Sequence, residues 1–85
     1  MSLEVIKIER HDCPGCKILG MILKYEVDYP ITIVNLDDTP VLNEEYQVMS
    51  VPVLIFKKDG IEVLRLSEGK DFSGEKINEV LSGLL

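Results

Sequence analysis

The stretch His11-Asp12-Cys13-Pro14-Gly15-Cys16 decides how the rest of this 85-residue sequence is interpreted. Its two cysteines are the only ones in the chain, and two residues separate them. An apolar, strand-like run at residues 3–8 precedes it and a helix-like run at residues 17–27 follows, so the cysteines fall at a strand-to-helix turn. The positive end of a helix lowers the pKa of a thiol, and a second thiol nearby can displace whatever the first has attacked. The pattern therefore predicts a dithiol–disulfide exchange site.

Size and composition favour one small domain spanning residues 1–85. Hydrophobic residues make up 46% of the chain, which is enough for a packed core and excludes the disordered class. A net charge of −6 argues against nucleic acid and anionic membranes as partners. The sequence has neither an apolar run of about 20 residues nor a signal-like N-terminus, so we expect a cytoplasmic monomer. In that compartment a cysteine pair is more often catalytic or metal-binding than structural.

Hydrophobic periodicity predicts an α/β protein with the element order β-α-β-α-β-β-α. The predicted elements are a strand (3–8), a helix (14–28), a strand (31–36), a short helix (40–46), two strands (53–58 and 61–66) and a final helix (73–84). The first two strands are joined through a helix, so they should be parallel, and Asp59-Gly60 predicts a hairpin between the last two. The result is a mixed four-stranded sheet with helices on both faces.

Cap residues and apolar spacing define the helices further. Ile18, Leu19, Ile22 and Leu23 recur at three- and four-residue spacing, which predicts one apolar face, and we interpret Gly20 as a close-packing position. Pro14 suits the first helical turn, where its missing N–H is not needed. The predicted N-caps are Asp12 or Cys13 for the first helix, Asp38 or Thr39 for the second, and Ser73 for the third.

With these elements in place, the chain resembles a thioredoxin-fold redoxin. The two-cysteine motif stands at a strand-to-helix turn after the first strand of a βαβ half. The segment from Val34-Asn35-Leu36-Asp37 to Ser50-Val51-Pro52 is similar to the thioredoxin run that leads to its cis-proline, and Phe56-Lys57-Lys58-Asp59-Gly60 with the closing helix resembles the thioredoxin C-terminal half. The resemblance covers nearly the whole chain. Relative to a full-length thioredoxin, this sequence lacks only the first strand and helix, as glutaredoxins also do. It implies the sheet order 2-1-3-4.

Three departures from the family pattern stand out. The usual Trp-Cys-Gly-Pro-Cys is replaced by Asp12-Cys13-Pro14-Gly15-Cys16, and the chain has no tryptophan. The buried acid that thioredoxins carry six residues before the first cysteine aligns with Lys7. The Gly-Gly segment that glutaredoxins use beside glutathione is absent. These features describe a hybrid of glutaredoxin size with a thioredoxin-like second half.

The resemblance implies a role for each residue of the motif. Cys13 would be the exposed nucleophile and Cys16 the more buried resolving thiol, with no bound cofactor beyond the reversible Cys13–Cys16 disulfide. Pro14 and Gly15 would limit the freedom of the loop, contact the substrate and help to set the redox potential. Pro52 would follow a cis peptide bond and lie against the cysteine pair. It would hold Val51 so that the backbone of a substrate could pair with it as an added strand.

Two residues near the motif have competing interpretations. His11 is expected to be a solvated loop residue, although it could instead stabilise the Cys13 thiolate. Lys7 is expected to be a strand residue with its ammonium group in solvent, although it could assist proton transfer at Cys16. A metal interpretation of the cysteine pair needs four ligands, so with only His11 nearby a symmetric dimer would have to complete a zinc site.

Three functions are compatible with these features of the sequence. The leading hypothesis is a thiol–disulfide oxidoreductase acting on protein disulfides, with electrons from a thioredoxin reductase-like flavoprotein and ribonucleotide reductase as one client that the resemblance suggests. The second is glutaredoxin-like activity with glutathione, which the missing Gly-Gly segment disfavours. The third is a non-enzymatic metal-binding or adaptor module.

Overall fold

A computed structural model describes residues 2–85, which form four strands, three α-helices and one short 3₁₀ helix. The elements are β1 (Leu3–Glu9), α1 (Pro14–Glu26), β2 (Ile31–Asn35), α2 (Leu42–Tyr46), β3 (Val53–Lys58), β4 (Ile61–Leu66), the 3₁₀ helix (Gly69–Asp71) and α3 (Gly74–Leu84). The predicted order of strands and α-helices is confirmed, and the 3₁₀ helix was not predicted. Two helix boundaries shift by two residues, since α1 ends at Glu26 and α2 begins only at Leu42, and three other element ends differ from the prediction by one residue. Within residues 2–85, no helix has the combination of length and apolar character needed to span a membrane.

The four strands form one mixed sheet in the order β2-β1-β3-β4, which confirms the predicted order. β1 runs parallel to β2 and antiparallel to β3, and β3 is antiparallel to β4. Asp59 and Gly60 connect β3 to β4 with φ angles of 54° and 85°. Both angles lie in the left-handed region that a tight two-residue hairpin requires, so the predicted hairpin is confirmed.

Helices cover both faces of this sheet and divide the core into two clusters. The α1 and α3 face buries the sheet residues Val5, Leu54 and Phe56 against Leu19 of α1 and Ile77 of α3. The opposite face carries α2 and a second cluster, whose buried members are Ile6, Ile8, Leu36, Val48, Val53 and Ile55. Odd and even positions of β1 point to opposite faces, as the pleat of a strand dictates. The central strands β1 and β3 are therefore covered on both sides.

The apolar face of α1 is narrower than the sequence pattern predicts. Leu19 and Leu23 are buried, Ile22 is half-buried, and Ile18 remains 60% exposed. Consecutive residues of a helix are rotated by about 100° around its axis. Because Leu19 faces the sheet, Ile18 points away from it. The inclusion of Ile18 in the core was therefore wrong, and this residue borders the surface beside the cysteines.

The start of α2 also differs from the prediction. Val41 occupies the N-cap position without a side-chain cap, so the prediction of Asp38 or Thr39 as the cap was wrong. The helix begins later because the backbone first makes a turn in which the carbonyl of Thr39 accepts the N–H of Leu42 at 3.1 Å. The Asp38 side chain turns instead toward the loop that precedes the cysteines.

Arg65 of β4 holds the end of α2 in place. Its guanidinium donates to the carbonyls of Tyr46 and Gln47 at 2.8 and 3.3 Å and forms two hydrogen bonds with the Glu62 carboxylate. These hydrogen bonds lower the pKa of Glu62 and raise that of Arg65. The charged pair thus anchors the chain immediately before the segment that leads to Pro52.

Candidate redox site at the start of α1

Cys13 and Cys16 form a disulfide across the first turn of α1, with their Cα atoms 5.2 Å apart. Cys13, one of the two predicted N-cap candidates, caps the helix, and Pro14 is its first residue as predicted. The sulfur of Cys13 accepts the backbone N–H of Cys16 at 3.1 Å. This donor and the unpaired N–H groups of the first turn favour negative charge on the Cys13 sulfur, because a hydrogen bond to a charged form stabilises it.

The two cysteines differ in their access to solvent. Cys16 is only 3% exposed and packs into the protein, whereas Cys13 is half-buried at the surface. Cys13 is therefore the sulfur that is accessible from outside the protein, and Cys16 lies behind it.

Pro52 lies beside the motif, and the peptide bond between Val51 and Pro52 is cis. A Cβ placed on Gly15 would stand 3.4 Å from Cδ of Pro52, so the first turn of α1 and the start of β3 are in direct contact. Pro14 and Gly15 are exposed, and Val51 and Pro52 are half-buried. A groove of about 340 Å³ follows this contact and is lined by Gly15, Ile18, Val51, Pro52, Ser67, Gly69 and Phe72.

The loop before Cys13 is anchored by Asp37, which follows β2. The two carboxylate oxygens of Asp37 accept the backbone N–H of His11 at 2.7 Å and a guanidinium N–H of Arg10 at 3.0 Å. The His11 N–H, and after it the Arg10 guanidinium, hold the pKa of Asp37 below its ordinary value of 3.8. Asp37 thereby fixes the loop in which Asp12 adopts a left-handed φ of 50° immediately before Cys13.

The lowered pKa of Asp37 predicts a pH-dependent stability. Its carboxylate stabilises the folded state fully above the unfolded-state pKa, and this contribution disappears as the pH falls through the folded-state pKa. We therefore expect the urea midpoint of Asp37→Asn to lie below that of the wild type at neutral pH and to converge with it as the pH falls through the lowered folded-state pKa of Asp37. Urea denaturation of both proteins followed by circular dichroism from about pH 2 to pH 7 measures the difference.

The matched control for this prediction is Asp28→Asn, which changes an exposed aspartate between α1 and β2. We expect its urea midpoint to follow that of the wild type across the whole pH range. An Asp37→Asn deficit of the same size at acid and neutral pH would contradict the role given to the charged carboxylate.

His11 lies at the surface and faces away from the core. Its side chain is 60% exposed, and Nε2 lies 3.2 Å from a carboxylate oxygen of Asp38. The solvated position agrees with the first interpretation of this residue. In the part of the chain from residue 2 to residue 85, no three histidine, cysteine or acidic side chains come together in a way that could hold a metal ion.

Lys7 is buried, so the expectation that its ammonium group is in solvent was wrong. The residue is only 4% exposed, and Nζ lies 2.6 Å from a carboxylate oxygen of Glu9. The position is covered because β1 lies between β2 and β3, and because Gly20 of α1 leaves room above the strand. A Cβ on Gly20 would approach Nζ to 3.1 Å, which confirms the interpretation of Gly20 as a close-packing position.

Two residues near the site, Glu9 and Asp37, were not identified from the sequence. Glu9 lies just beyond the predicted strand at residues 3–8, although its two-residue spacing from Lys7 places both side chains on one face of a strand. A backbone-to-carboxylate contact between positions 26 residues apart leaves no periodic trace in a single sequence.

Solved structures place this architecture among the thioredoxins. A thioredoxin of Fasciola hepatica superimposes with a TM-score of 0.75 at 24% identity, covering 95% of this chain and 79% of that one. A thioredoxin of Halobacterium salinarum gives a TM-score of 0.81 at 17% identity, covering 95% and 73%. The chain is therefore a thioredoxin-fold protein.

Sequence similarity identifies a more specific relationship. A thioredoxin of Chlamydia caviae is 41% identical over 63 residues, which cover 69% of this chain. The chain is a homologue of thioredoxin, and its Cys13–Cys16 disulfide fits the CxxC motif of that group. The match spans 62% of the length of the Chlamydia protein. No protein-family model matches the sequence.

Proposed function

We propose that this protein is a thiol–disulfide oxidoreductase that reduces disulfides in other proteins by exchange with Cys13 and Cys16. The observation that carries the proposal is the disulfide at the start of α1, with the outer sulfur half-buried and the inner one buried. This arrangement supplies the two thiols in the order that sequential exchange requires.

The exchange proceeds in two steps from the reduced protein. The Cys13 thiolate attacks one sulfur of the substrate disulfide, so a mixed disulfide forms and the other substrate sulfur leaves as a thiolate that takes up a proton. The Cys16 thiol then loses its proton and attacks the Cys13 sulfur, which releases the second substrate thiol. Two electrons have passed to the substrate, and the Cys13–Cys16 disulfide shown by the structure is the product.

The groove beside the motif is the proposed docking place for the substrate chain. Val51 and Pro52 line the groove together with Gly15, and the exposed Pro14 precedes Gly15 in α1, so an extended peptide in the groove would bring its disulfide to the exposed side of Cys13. The backbone of Val51 would pair with that peptide in the manner of an added strand. Ile18 and the other apolar residues that line the groove would make contacts that do not require one particular substrate sequence.

The proposed partners follow from this chemistry. Disulfide-containing proteins are the substrates, with ribonucleotide reductase as one candidate client. A flavoprotein of the thioredoxin reductase type returns two electrons to the Cys13–Cys16 disulfide. Such a donor works in the reducing cytoplasm, which is the proposed location.

Reduction of insulin by dithiothreitol tests the proposal. Catalytic amounts of the protein should accelerate the precipitation of insulin, because each cycle of Cys13 and Cys16 replaces a slow exchange with dithiothreitol. The reagent supplies the two electrons for each turnover. A precipitation rate unchanged by the protein would refute the proposed activity.

A glutathione assay distinguishes this function from a glutaredoxin-like one. Glutathione carries carboxylates that need cations beside the cysteines, and one of the cations there, Arg10, already pairs with the carboxylate of Asp37. We therefore expect slow reduction of a glutathione mixed disulfide relative to insulin. The opposite ranking of the two rates would assign the protein to glutathione chemistry.

A further inference from the structure

A second cavity opens between α1 and the outer strand β2, and neither cysteine lines it. It has a volume of about 180 Å³ and is lined by Lys7, Gly20, Leu23, Lys24, Ile31 and Ile33. In the parallel pairing of β1 with β2, Lys7 lies opposite Ile33, so both belong to the same part of the sheet. Because β2 is the outermost strand and Ile33 is 60% exposed, the cavity is accessible from the surface.

The absence of a side chain at Gly20 accounts for the open space above the strand. Gly20 lies three residues before Leu23 and four before Lys24, so the three positions share one face of α1. A Cβ on Gly20 would stand 3.1 Å from Nζ of Lys7. The ammonium group of Lys7 therefore reaches the space under Gly20, where most of the surrounding side chains are aliphatic.

Two lysines line this cavity and, within residues 2–85, no acidic side chain does. The side chain of Lys7 is only 6% exposed, and its Nζ lies 2.6 Å from one carboxylate oxygen of Glu9. An ammonium group carries three N–H donors, so this contact leaves donors for a further acceptor. Glu9 lines the cavity beside the cysteines and not this one, and Lys24 is exposed on α1. With two ammonium groups against one carboxylate, the local charge favours an anion.

We propose that this cavity binds a small apolar monocarboxylate. The carboxylate would accept hydrogen bonds from Lys7 and Lys24, and the hydrocarbon part would pack against Leu23, Ile31 and Ile33. A cavity of roughly 150 Å³ lined by aliphatic side chains holds a benzene ring. The volume of about 180 Å³ therefore suits one ring with a single carboxylate. The proposed ligand site goes beyond the proposed exchange function and uses neither cysteine.

The experiment is a titration of the isotope-labelled, oxidised protein with benzoate, followed by the backbone amide signals in NMR spectra. We expect saturating shifts at Gly20, Lys24 and Ile33, with a dissociation constant below about 1 mM for a ligand of this size. Benzamide has the same shape without the charge. Because hydrogen bonds to charged groups are stronger, it should bind at least about tenfold more weakly.

Two variants test the charges of the cavity itself. Lys7→Met removes the buried ammonium group, and Ile33→Glu adds a carboxylate at an exposed position opposite Lys7. Each should weaken benzoate binding by at least about tenfold, because each makes the cavity less favourable to an anion. The matched control is Lys17→Met, which removes an exposed lysine of α1 that does not line this cavity. Its affinity for benzoate should stay within about twofold of the wild type, since solvent screens distant surface charges.

Three results would overturn the proposal: no saturation by about 10 mM benzoate, shifts confined to residues outside this cavity, or equal affinities for benzoate and benzamide. A loss in Lys17→Met as large as that in Ile33→Glu would also overturn it, since binding would then follow net charge alone. If Lys7→Met fails to fold, benzamide and Ile33→Glu decide. Cys13→Ser should bind benzoate as the wild type does, so the ligand site and the exchange function can fail independently of each other.

Discussion

Cys13→Ser is expected to lower the rate of insulin reduction to that of dithiothreitol alone. The hydroxyl of serine does not ionise near neutral pH, so no nucleophile remains at the half-buried position at the start of α1. The remaining thiol of Cys16 is 3% exposed and out of reach of a protein disulfide. The measurement is insulin precipitation with wild type and variant at equal concentration.

Cys16→Ser is the matched comparison, because it changes the same atom of the other cysteine. It should also lose turnover, yet it retains the attacking thiol and should bind substrate covalently. Circular dichroism of both reduced variants checks that the fold is intact. Substantial insulin reduction by the Cys13→Ser variant would show that the outer sulfur is not the nucleophile.

Phe56→Ala has the largest expected effect on stability. Phe56 lies in the central strand β3, is 0% exposed and packs in the cluster beneath α1 and α3. Truncation of a buried phenylalanine costs about 3–5 kcal/mol. A domain of this length has a free energy of unfolding of roughly 5–10 kcal/mol, so about half of it would be lost. Urea denaturation of the oxidised protein measures the change through the shift in midpoint.

Tyr25→Ala is the matched control, because it removes an aromatic ring that is 72% exposed on α1. We expect its free energy of unfolding to stay within about 0.5 kcal/mol of the wild type. If the two alanine variants lost the same free energy, the core described beneath α1 would not be the source of stability.

The architecture was predictable because its signals are local. Alternating and helical periodicities define the strands and helices, Asp59-Gly60 specifies the hairpin, and the position of Ser73 predicts a cap that is confirmed by its hydrogen bond from the N–H of Lys76 at 3.1 Å. The resemblance to thioredoxins then supplied the strand order, which periodicity does not contain. Cysteine spacing was sufficient to place both sulfurs at the start of α1.

Two of the errors concern residues whose environment depends on the packing of other parts of the chain. A lysine in a strand ordinarily extends its ammonium group to water, but Lys7 lies under Gly20 of α1 and contacts Glu9. Asp38 has the residue type of a helix cap and instead faces His11. In both cases packing against another segment of the chain, and not the side chain's own preference, decided its place.

The direct test of the central claim is the mass of the covalent product that Cys16→Ser forms with insulin in the absence of a reductant. Sequential exchange predicts one insulin molecule, both chains included, linked to Cys13 through a bond that dithiothreitol cleaves. It also predicts no comparable product on the Cys16 sulfur of Cys13→Ser. Equal yields from the two variants, or no product from Cys16→Ser, would contradict the division of roles between the outer and the inner cysteine.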